Sequence, residues 1–303
     1  MEVVERHIKN LSMNSQRRFK TVIRQFTEFT GKTLAGTSES DIFEFFDYLK
    51  SKEGNKPRRG KAKGLSGATI RNTLEILSAV FEILHKRQLI RCNWITYSGI
   101  RLPNTKKNQK RPTEILPFNK VMEVCQKPPK NTKPGVRDRA ILACLFGAGL
   151  RKSEAINLTL DDVKIEDEST LYLWLHETKS GRDREQCLAT WAAESVTRLI
   201  EQRIAETAKA SDPLFVQYRQ KCQPLNKFIP VRTFDRIFKK YTADIKDGTY
   251  SPHSARATAI SKLWEDETDP RRIQEFARHA DFSSTIVYDR RGLRDTARKL
   301  FYQ

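Results

Sequence analysis

The sequence predicts a mainly α-helical chain with two domains: an N-terminal helical domain, and a mostly helical C-terminal domain with a small antiparallel sheet. The length of 303 residues exceeds that of one typical domain. Apolar residues recur at three- and four-residue spacing along most of the chain, whereas residues 170–190 show strand-like runs. We place the domains at 1–104 and 113–303, with a linker over 105–112.

Three amphipathic segments define the predicted N-terminal domain. The first, 15–31, has apolar residues on one helical face and a plausible stop at Gly31. The second, 37–52, begins with polar residues that can cap a helix. The third, 66–90, carries a long apolar stripe. Together these segments predict a compact helical domain.

The C-terminal domain has a mixed pattern. Residues 136–150 form a strongly apolar helical segment, and a second short helix is predicted over 151–160. The runs TLYLWL and EQCLAT flank a polar turn that contains Ser180-Gly181, which is a hairpin signal. From about residue 192 to the end, the pattern predicts helices again.

The charge balance indicates a nucleic-acid partner. The chain has 56 Lys and Arg against 37 Asp and Glu, a net charge of +19. A net +12 of this excess falls within residues 51–112, which contain the loop 54–64 and the linker. A solvated loop is the alternative, but such clustering fits a surface that follows a phosphate backbone. The candidate contacts are Lys56, Arg58, Arg59, Lys61, Lys63, Lys106, Lys107, Lys110 and Arg111.

Other functional classes are disfavoured by composition. No apolar run approaches the ~20 residues of a membrane span, and the N-terminus lacks the apolar core of a signal peptide. We therefore expect a cytoplasmic protein associated with DNA. The five cysteines are scattered and match no metal-binding spacing. We expect reduced thiols, no metal and no cofactor.

The stretch SPHSAR has the features of a helix start that binds an anion. Ser251 can cap the helix, and Pro252 suits its first turn. His253 and Arg256 would then lie one turn apart near free N–H groups, where the helix dipole favours negative charge. An exposed pair without function is the alternative for an isolated His-x-x-Arg.

Four further residues could serve the same chemistry. Arg151 follows a tight turn, Lys179 lies at the hairpin tip, His279 ends a predicted helix, and Tyr288 follows nine residues later. Each one alone has an ordinary explanation. Arg151 could form a salt bridge to Glu154, Lys179 could be solvated, His279 could be a helix-terminal cation, and Tyr288 could be a half-buried ring.

Taken in chain order, these residues resemble the tyrosine recombinase family, which includes phage-type integrases and Xer-like recombinases. The resemblance is carried by GLRKSE, TKSGRDRE, PHSAR, RHAD and IVYDRR, and more loosely by LSGATIRNTL and LPNTKKNQKRP. It implies a SAM-like core-binding domain, followed by a catalytic domain that recombines specific sites in double-stranded DNA. It also implies a 3′-phosphotyrosine intermediate, a Holliday junction and a tetramer on DNA. An accessory DNA-bending or directionality protein is a further candidate partner.

The resemblance also implies a role for each candidate residue. Arg151 and Arg256 would clamp the scissile phosphate, and Tyr288 would be the nucleophile. The remaining roles concern protons and the phosphate: Lys179 as general acid, His253 as a group that assists proton transfer at the tyrosine, and His279 as a phosphate hydrogen-bond partner.

Departures from the family pattern and two rival functions limit this interpretation. Arg278 precedes His279 where many relatives have Gly, so it could shift His279 or add a DNA contact. Asn93-Trp94 replaces a common Asn-Pro. The segment after Tyr288 could dock in a neighbouring protomer or pack on its own domain, through Leu293, Ala297, Leu300 and Phe301. The rivals are a type IB topoisomerase-like nicking and closing enzyme and a catalytically silent DNA-binding homologue.

Overall fold

The computed structural model describes residues 2–51, 64–103, 113–167, 170–176, 183–219, 222–245 and 248–291. The chain divides into two compact units, Met1–Arg111 and Pro112–Gln303. Several predicted functional positions lie outside the described residues. They are Lys179, the basic contacts at 56–63 and 106–111, and the C-terminal residues Leu293, Ala297, Leu300 and Phe301.

The first unit is helical, as predicted. Its elements are α1 (Glu2–Lys9), α2 (Met13–Thr30), a 3₁₀ turn (Leu34–Gly36), α3 (Glu39–Lys50), α4 (Gly67–Lys86) and α5 (Trp94–Tyr97). The three predicted amphipathic segments correspond to α2, α3 and α4, whereas α1 and α5 were not predicted. Phe26, Phe45 and Phe81 are fully buried and meet edge to face at the centre of the core. Gly31 ends α2 with a positive φ of 65°, which glycine adopts without a steric cost.

The second unit is mostly helical with small antiparallel sheets, which confirms the predicted fold class. Its helices are α6 (Phe118–Gln126), α7 (Lys133–Gly147), α8 (Lys152–Asn157), α9 (Thr190–Ala205), α10 (Val231–Thr242), α11 (Pro252–Glu265), α12 (Pro270–Ala277) and α13 (Ser283–Ile286). The central helix α7 is buried along nearly its whole length. It packs against α9 on one side and α11 on another, so it forms the base on which the site is built.

A three-stranded antiparallel sheet follows α8. Its strands are β1 (Val163–Ile165), β2 (Leu171–Leu175) and β3 (Arg184–Cys187), in that spatial order. Burial alternates along β2, as expected for a sheet with one face on the core. The predicted pairing of TLYLWL with EQCLAT is confirmed, with Leu173 opposite Gln186. The second run is shorter than predicted, because its last residue, Thr190, already begins α9.

Helices dominate again from about residue 192, as predicted, but two short strands that were not predicted also occur there. Strands β4 (Val216–Tyr218) and β5 (Pro224–Phe228) form a second antiparallel pair in this region. Strand β4 has only three residues, and β5 (PLNKF) has no alternation of apolar and polar residues, so neither carries a strand signal. Cys222 adopts a positive φ of 54° in the turn that joins them. Within the described ranges, no helix combines the length and apolarity that crossing a bilayer requires.

Candidate active site

Arg151 is positioned by a sharp turn between α7 and α8. Gly149 makes this turn with a positive φ of 55°, and Leu150 beyond it is fully buried. Arg151 then precedes the first residue of α8. The Glu154 carboxylate accepts hydrogen bonds from the backbone N–H of Arg151 and from its Nη1, both at 2.6 Å. The salt bridge considered as the ordinary explanation for Arg151 is therefore present, and it fixes the guanidinium at a helix start.

The helix start predicted at SPHSAR is present as the start of α11. Ser254 Oγ accepts a hydrogen bond of 3.1 Å from the backbone N–H of Ser251, and Pro252 is the first helical residue. His253 is exposed, whereas Arg256 is only 1% exposed. Arg256 Nη1 donates to the Gly149 carbonyl at 2.6 Å, and its Nη2 donates to the Ala277 carbonyl. Arg256 is therefore a buried, anchored guanidinium and not part of an exposed pair.

His279 follows the left-handed end of α12. The helix begins at an Asp269 cap and ends at Arg278, which has a φ of 52°. The backbone N–H of His279 donates to the Gln274 carbonyl at 3.2 Å, a bond typical of such helix ends. The imidazole Nδ1 lies 3.0 Å from the hydroxyl oxygen of Thr285, which is fully buried. The ring orientation is thus set by a hydroxyl from the next helix.

Tyr288 lies in the turn after α13 and is half-buried. Its backbone N–H donates to the Thr285 carbonyl at 3.0 Å, and its own carbonyl accepts from Ser261 Oγ at 2.9 Å. Its hydroxyl oxygen lies 3.4 Å from His253 Nε2. Its ring stacks on that of His279, with 5.8 Å between centroids. The Tyr288 side chain therefore contacts both histidines, His253 through its hydroxyl and His279 through its ring.

Positive charge exceeds negative charge in this cluster. Arg151, Arg256 and Arg278 surround one carboxylate, that of Glu154. Burial, followed by the charges of Arg278 and Arg151, lowers the pKa of Arg256 to about 9. The pKa of Glu154 is also lowered: burial opposes ionisation, but the Arg278 charge and the hydrogen bonds from Arg151 outweigh it. The cluster is therefore short of one or more negative charges, which an anion would supply.

The pKa values of both histidines are lowered, which favours their neutral forms. Although His253 keeps an accessible surface, desolvation by the groups packed around its ring, followed by the Arg256 and Arg151 charges, lowers its pKa. Partial burial and the same two guanidiniums, followed by Arg278, lower the pKa of His279 to about 4. A neutral imidazole can accept a proton, so His253 can take one from the adjacent Tyr288 hydroxyl. The arrangement can thus bind an anion and activate a hydroxyl nucleophile beside it.

The structure brings together five of the six residues predicted to be catalytic: Arg151, His253, Arg256, His279 and Tyr288. Two connecting residues were not predicted. Thr285 links His279 to Tyr288, and Gln186 on β3 accepts a hydrogen bond from Arg278. Neither has a sequence signal of its own, since Thr and Gln at these spacings are common in helices and strands.

The structure corrects one of the two roles considered for Arg278, that of a DNA contact. Its side chain is buried and forms an ion pair with Glu154, with Nη2 and Oε2 2.8 Å apart. It therefore does not face a DNA surface, and the neighbouring His279 stacks on Tyr288.

Several known proteins are similar to this chain. Residues 115–292 match the phage integrase family. The chain is 28% identical over 260 residues to tyrosine recombinase XerC of Alcanivorax borkumensis, covering 85% of this chain and 78% of the relative. It is also 28% identical over 294 residues to tyrosine recombinase XerA of Pyrococcus furiosus, covering 95% of this chain and 89% of the relative.

Solved structures of similar fold include DNA complexes. XerH site-specific recombinase bound to palindromic difH substrate has a TM-score of 0.73 at 19% identity, covering 99% of this chain and 84% of that one. The Tn1549 transposon integrase with circular intermediate DNA has a TM-score of 0.68 at 22% identity, covering 100% and 98%. At this identity, the likeness concerns the fold.

Proposed function

The chain belongs to the phage integrase family of tyrosine recombinases, and on this premise we propose that it cleaves and rejoins DNA at specific sites through a 3′-phosphotyrosine intermediate and a Holliday junction. One observation carries the proposal. The Tyr288 hydroxyl lies 3.4 Å from Nε2 of His253, whose lowered pKa favours a neutral imidazole. The guanidiniums of Arg151 and Arg256 lie in the same cluster. A nucleophile, a proton acceptor and an anion pocket thus occur together.

The guanidiniums supply the electrostatic part of catalysis. Attack on a phosphodiester concentrates negative charge on the two non-bridging oxygens, and preorganised donors stabilise that charge more in the transition state than in the ground state. Among the described residues, the hydrogen bonds of Arg256 occupy two of its five N–H donors. Other donors of Arg256 and Arg151 remain for the phosphate oxygens. We assign these two residues as the phosphate clamp.

Two proton transfers accompany the exchange of one phosphorus–oxygen bond for another. Tyr288 gives its proton to His253 as its oxygen bonds to phosphorus, and the bond from phosphorus to the 5′ oxygen breaks. Lys179 donates a proton to the leaving 5′ oxygen, while His279 hydrogen-bonds a non-bridging oxygen. Rejoining reverses each step with the 5′ hydroxyl of another strand. One phosphodiester-type bond replaces another, so the cycle needs no external energy source.

The wider assembly follows from the same family membership. We propose that residues 1–104 form a core-binding domain, that 105–112 link it to the catalytic domain at 113–303, and that the basic positions within 56–63 and 106–111 contact the DNA backbone. A tetramer on two DNA sites provides the four cleavages that a Holliday-junction pathway requires. An accessory DNA-bending or directionality protein would be a separate protein that acts on the same DNA.

Trapping the covalent complex tests the proposal. Nicked suicide duplexes selected from a random pool release the 5′ hydroxyl strand on cleavage, so the adduct accumulates. We expect a DNA adduct with the wild type and none with Tyr288→Phe, although that variant still binds the duplex. Tyr97→Phe, which changes a 60% exposed tyrosine in the first unit, is the matched control and should keep the adduct.

Two outcomes would refute this assignment. An unchanged adduct yield with Tyr288→Phe would exclude this residue as the nucleophile. Relaxation of supercoiled DNA without exchange between two copies of the selected duplex sequence would indicate a nicking and closing enzyme and not a recombinase.

A further inference from the structure

Arg278 occupies a backbone position that is costly for its residue type. It ends α12 in the left-handed region, with a φ of 52° and a ψ of 45°. Glycine is the usual residue there, because a side chain adds steric strain in this conformation. The Arg278 side chain is also almost completely buried, and its Nε is a buried donor without an acceptor among the residues that the structure describes. Costs of this kind persist where the side chain has a compensating role.

The contacts of Arg278 lead to Arg151. Its Nη2 donates to Glu154 Oε2 at 2.8 Å, and the other oxygen of this carboxylate holds Arg151 Nη1 at 2.6 Å. The Arg278 backbone carbonyl accepts from Arg151 Nη2 at 3.0 Å. Arg151 is therefore held by Arg278 directly through the main chain, and indirectly through a shared carboxylate.

The same side chain also leads to Arg256. Arg278 Nη2 donates to the Gly149 carbonyl at 3.1 Å, and this oxygen accepts from Arg256 Nη1 at 2.6 Å. The Ala277 carbonyl, the second anchor of Arg256, immediately precedes Arg278 in the chain. The other terminal nitrogen of Arg278, Nη1, donates to the Gln186 side chain and to the Phe276 carbonyl, the latter at 3.0 Å. One guanidinium thus ties the α8 start, the α12 end and strand β3 together.

We propose that Arg278 is a positioning residue that sets the spacing of the Arg151 and Arg256 guanidiniums for a single phosphate; the proposal rests on the phosphate-clamp function inferred above. Arg278 itself is buried and does not contact the DNA. Its role is to fix two acceptors, the Glu154 carboxylate and the Gly149 carbonyl, on which the clamp depends. A planar, five-donor side chain suits this task, because it can bond several acceptors at fixed angles.

The alternative is that residue 278 matters only for the left-handed turn of the backbone, which Gly would adopt with less strain than Arg. Arg278→Gly separates the two ideas, since it relieves the left-handed strain and deletes the side-chain contacts. Arg278→Met retains much of the side-chain volume without donors, and Arg278→Lys retains the charge without the planar fork. Arg203→Met is the matched control, because Arg203 is a fully buried arginine in the same unit that pairs with Glu206 at 2.7 Å, away from the site.

The rate of covalent adduct formation on the selected suicide duplex is the first measurement. We expect Arg278→Gly and Arg278→Met to lower this rate by about 10²–10³-fold, the effect of losing one preorganised donor. Arg278→Lys should fall between these variants and the wild type, and Arg203→Met should stay within a few-fold of it. Circular dichroism establishes that each variant is folded at the assay temperature.

A duplex with a neutral methylphosphonate at the scissile position identifies the step affected. Removing one phosphate charge reduces the need for a guanidinium clamp. The ratio of wild-type to Arg278→Met rates should therefore shrink to less than about tenfold on this duplex. If Arg278→Met only destabilised the fold, the rate of adduct formation would fall by the same factor on both duplexes.

A second measurement does not depend on cleavage. Titration with inorganic phosphate, followed through the His279 ring ¹⁵N shifts, reports on the anion pocket directly. Arg278→Gly should weaken phosphate binding at least tenfold relative to Arg203→Met. If the wild type makes no DNA adduct, the proposed function fails, and the phosphate titration still decides the role of Arg278. Wild-type rates or wild-type phosphate affinity in Arg278→Gly, or equal losses in Arg203→Met, would overturn the proposal.

Discussion

Gly149→Ala should damage both the stability and the activity of the second unit. Gly149 has a φ of 55°, and a left-handed alanine costs about 1–2 kcal/mol. A Cβ at this position would lie 2.8 Å from Phe276 Cε1 and 3.2 Å from its Cζ. Relieving an overpacked contact of this kind costs about 1–3 kcal/mol. The expected total loss in the free energy of unfolding is therefore about 2–5 kcal/mol.

The activity should fall for a separate reason. The Gly149 carbonyl accepts from Arg256 Nη1 at 2.6 Å and from Arg278 Nη2 at 3.1 Å, so a backbone shift moves both guanidiniums. A displacement approaching 1 Å in a catalytic group can cost about 10²-fold in rate. We expect covalent adduct formation to drop by up to about this factor at a temperature where the variant is folded.

Gly31→Ala is the matched control. Gly31 has a φ of 65°, and no atom would lie within 4 Å of its added Cβ. Urea unfolding followed by far-UV circular dichroism should show a loss of only about 1–2 kcal/mol for this variant, and the adduct rate should not change. Equal stability losses in the two variants, together with a wild-type adduct rate for Gly149→Ala, would refute both the steric and the anchoring arguments.

Four further predictions concern the charges of the chain. Because the folded-state pKa of His279 is lowered to about 4, its contribution to stability is fully present above the unfolded pKa and is lost as the pH falls through the folded value. Urea unfolding between pH 7 and 4 should show a loss of at most about 3 kcal/mol that His279→Asn lacks. His176 contacts Asp162 at 2.8 Å and Asp183 at 3.2 Å, and hydrogen bonds to these carboxylates raise its pKa. The contribution of His176 to the free energy of unfolding is present below its unfolded-state pKa and is lost as the pH rises through its folded-state pKa. His176→Asn should therefore be most destabilising at low pH in the same assay. Arg256→Lys cannot bond both carbonyl anchors through a planar fork and should lower the adduct rate by about 10²–10³-fold, with little change in duplex binding by gel shift. Finally, if six to ten phosphates are neutralised, affinity for the selected duplex should fall by about 10³–10⁵ between 50 and 200 mM salt, and a flat response in a salt titration would exclude an extended backbone contact.

The sequence signals were strongest where local chemistry determines structure. The start of α11 was predictable because Ser251 and Pro252 act within one helical turn. The pairing of β2 with β3 was predictable because strand alternation and a polar turn are both local patterns. The grouping of the distant candidates came from their resemblance to a family, since spacing along the chain does not show which residues meet in space.

Tertiary contacts could not be predicted in this way. The burial of Arg256 depends on carbonyl groups at positions 149 and 277, far from it in the chain. The ion pair of Arg278 with Glu154 joins residues 124 positions apart. An arginine beside a histidine gave no local indication that it would be buried, and its identity suggested an exposed DNA contact. Strand β4 escaped detection because it has only three residues, and β5 because its sequence, PLNKF, has no alternating apolar pattern and none of its residues is buried.

The anchoring of Arg256 on main-chain oxygens has a consequence for changing what this protein acts on. Neither acceptor is a side chain, so a single amino-acid replacement can displace a hydrogen-bond partner of this guanidinium, as Gly149→Ala would, but cannot delete it. Only chemistry on the main chain itself, such as replacing an amide with an ester to weaken the carbonyl acceptor, would perturb them selectively. Selection experiments can therefore vary surface side chains while both main-chain acceptors of Arg256 are retained.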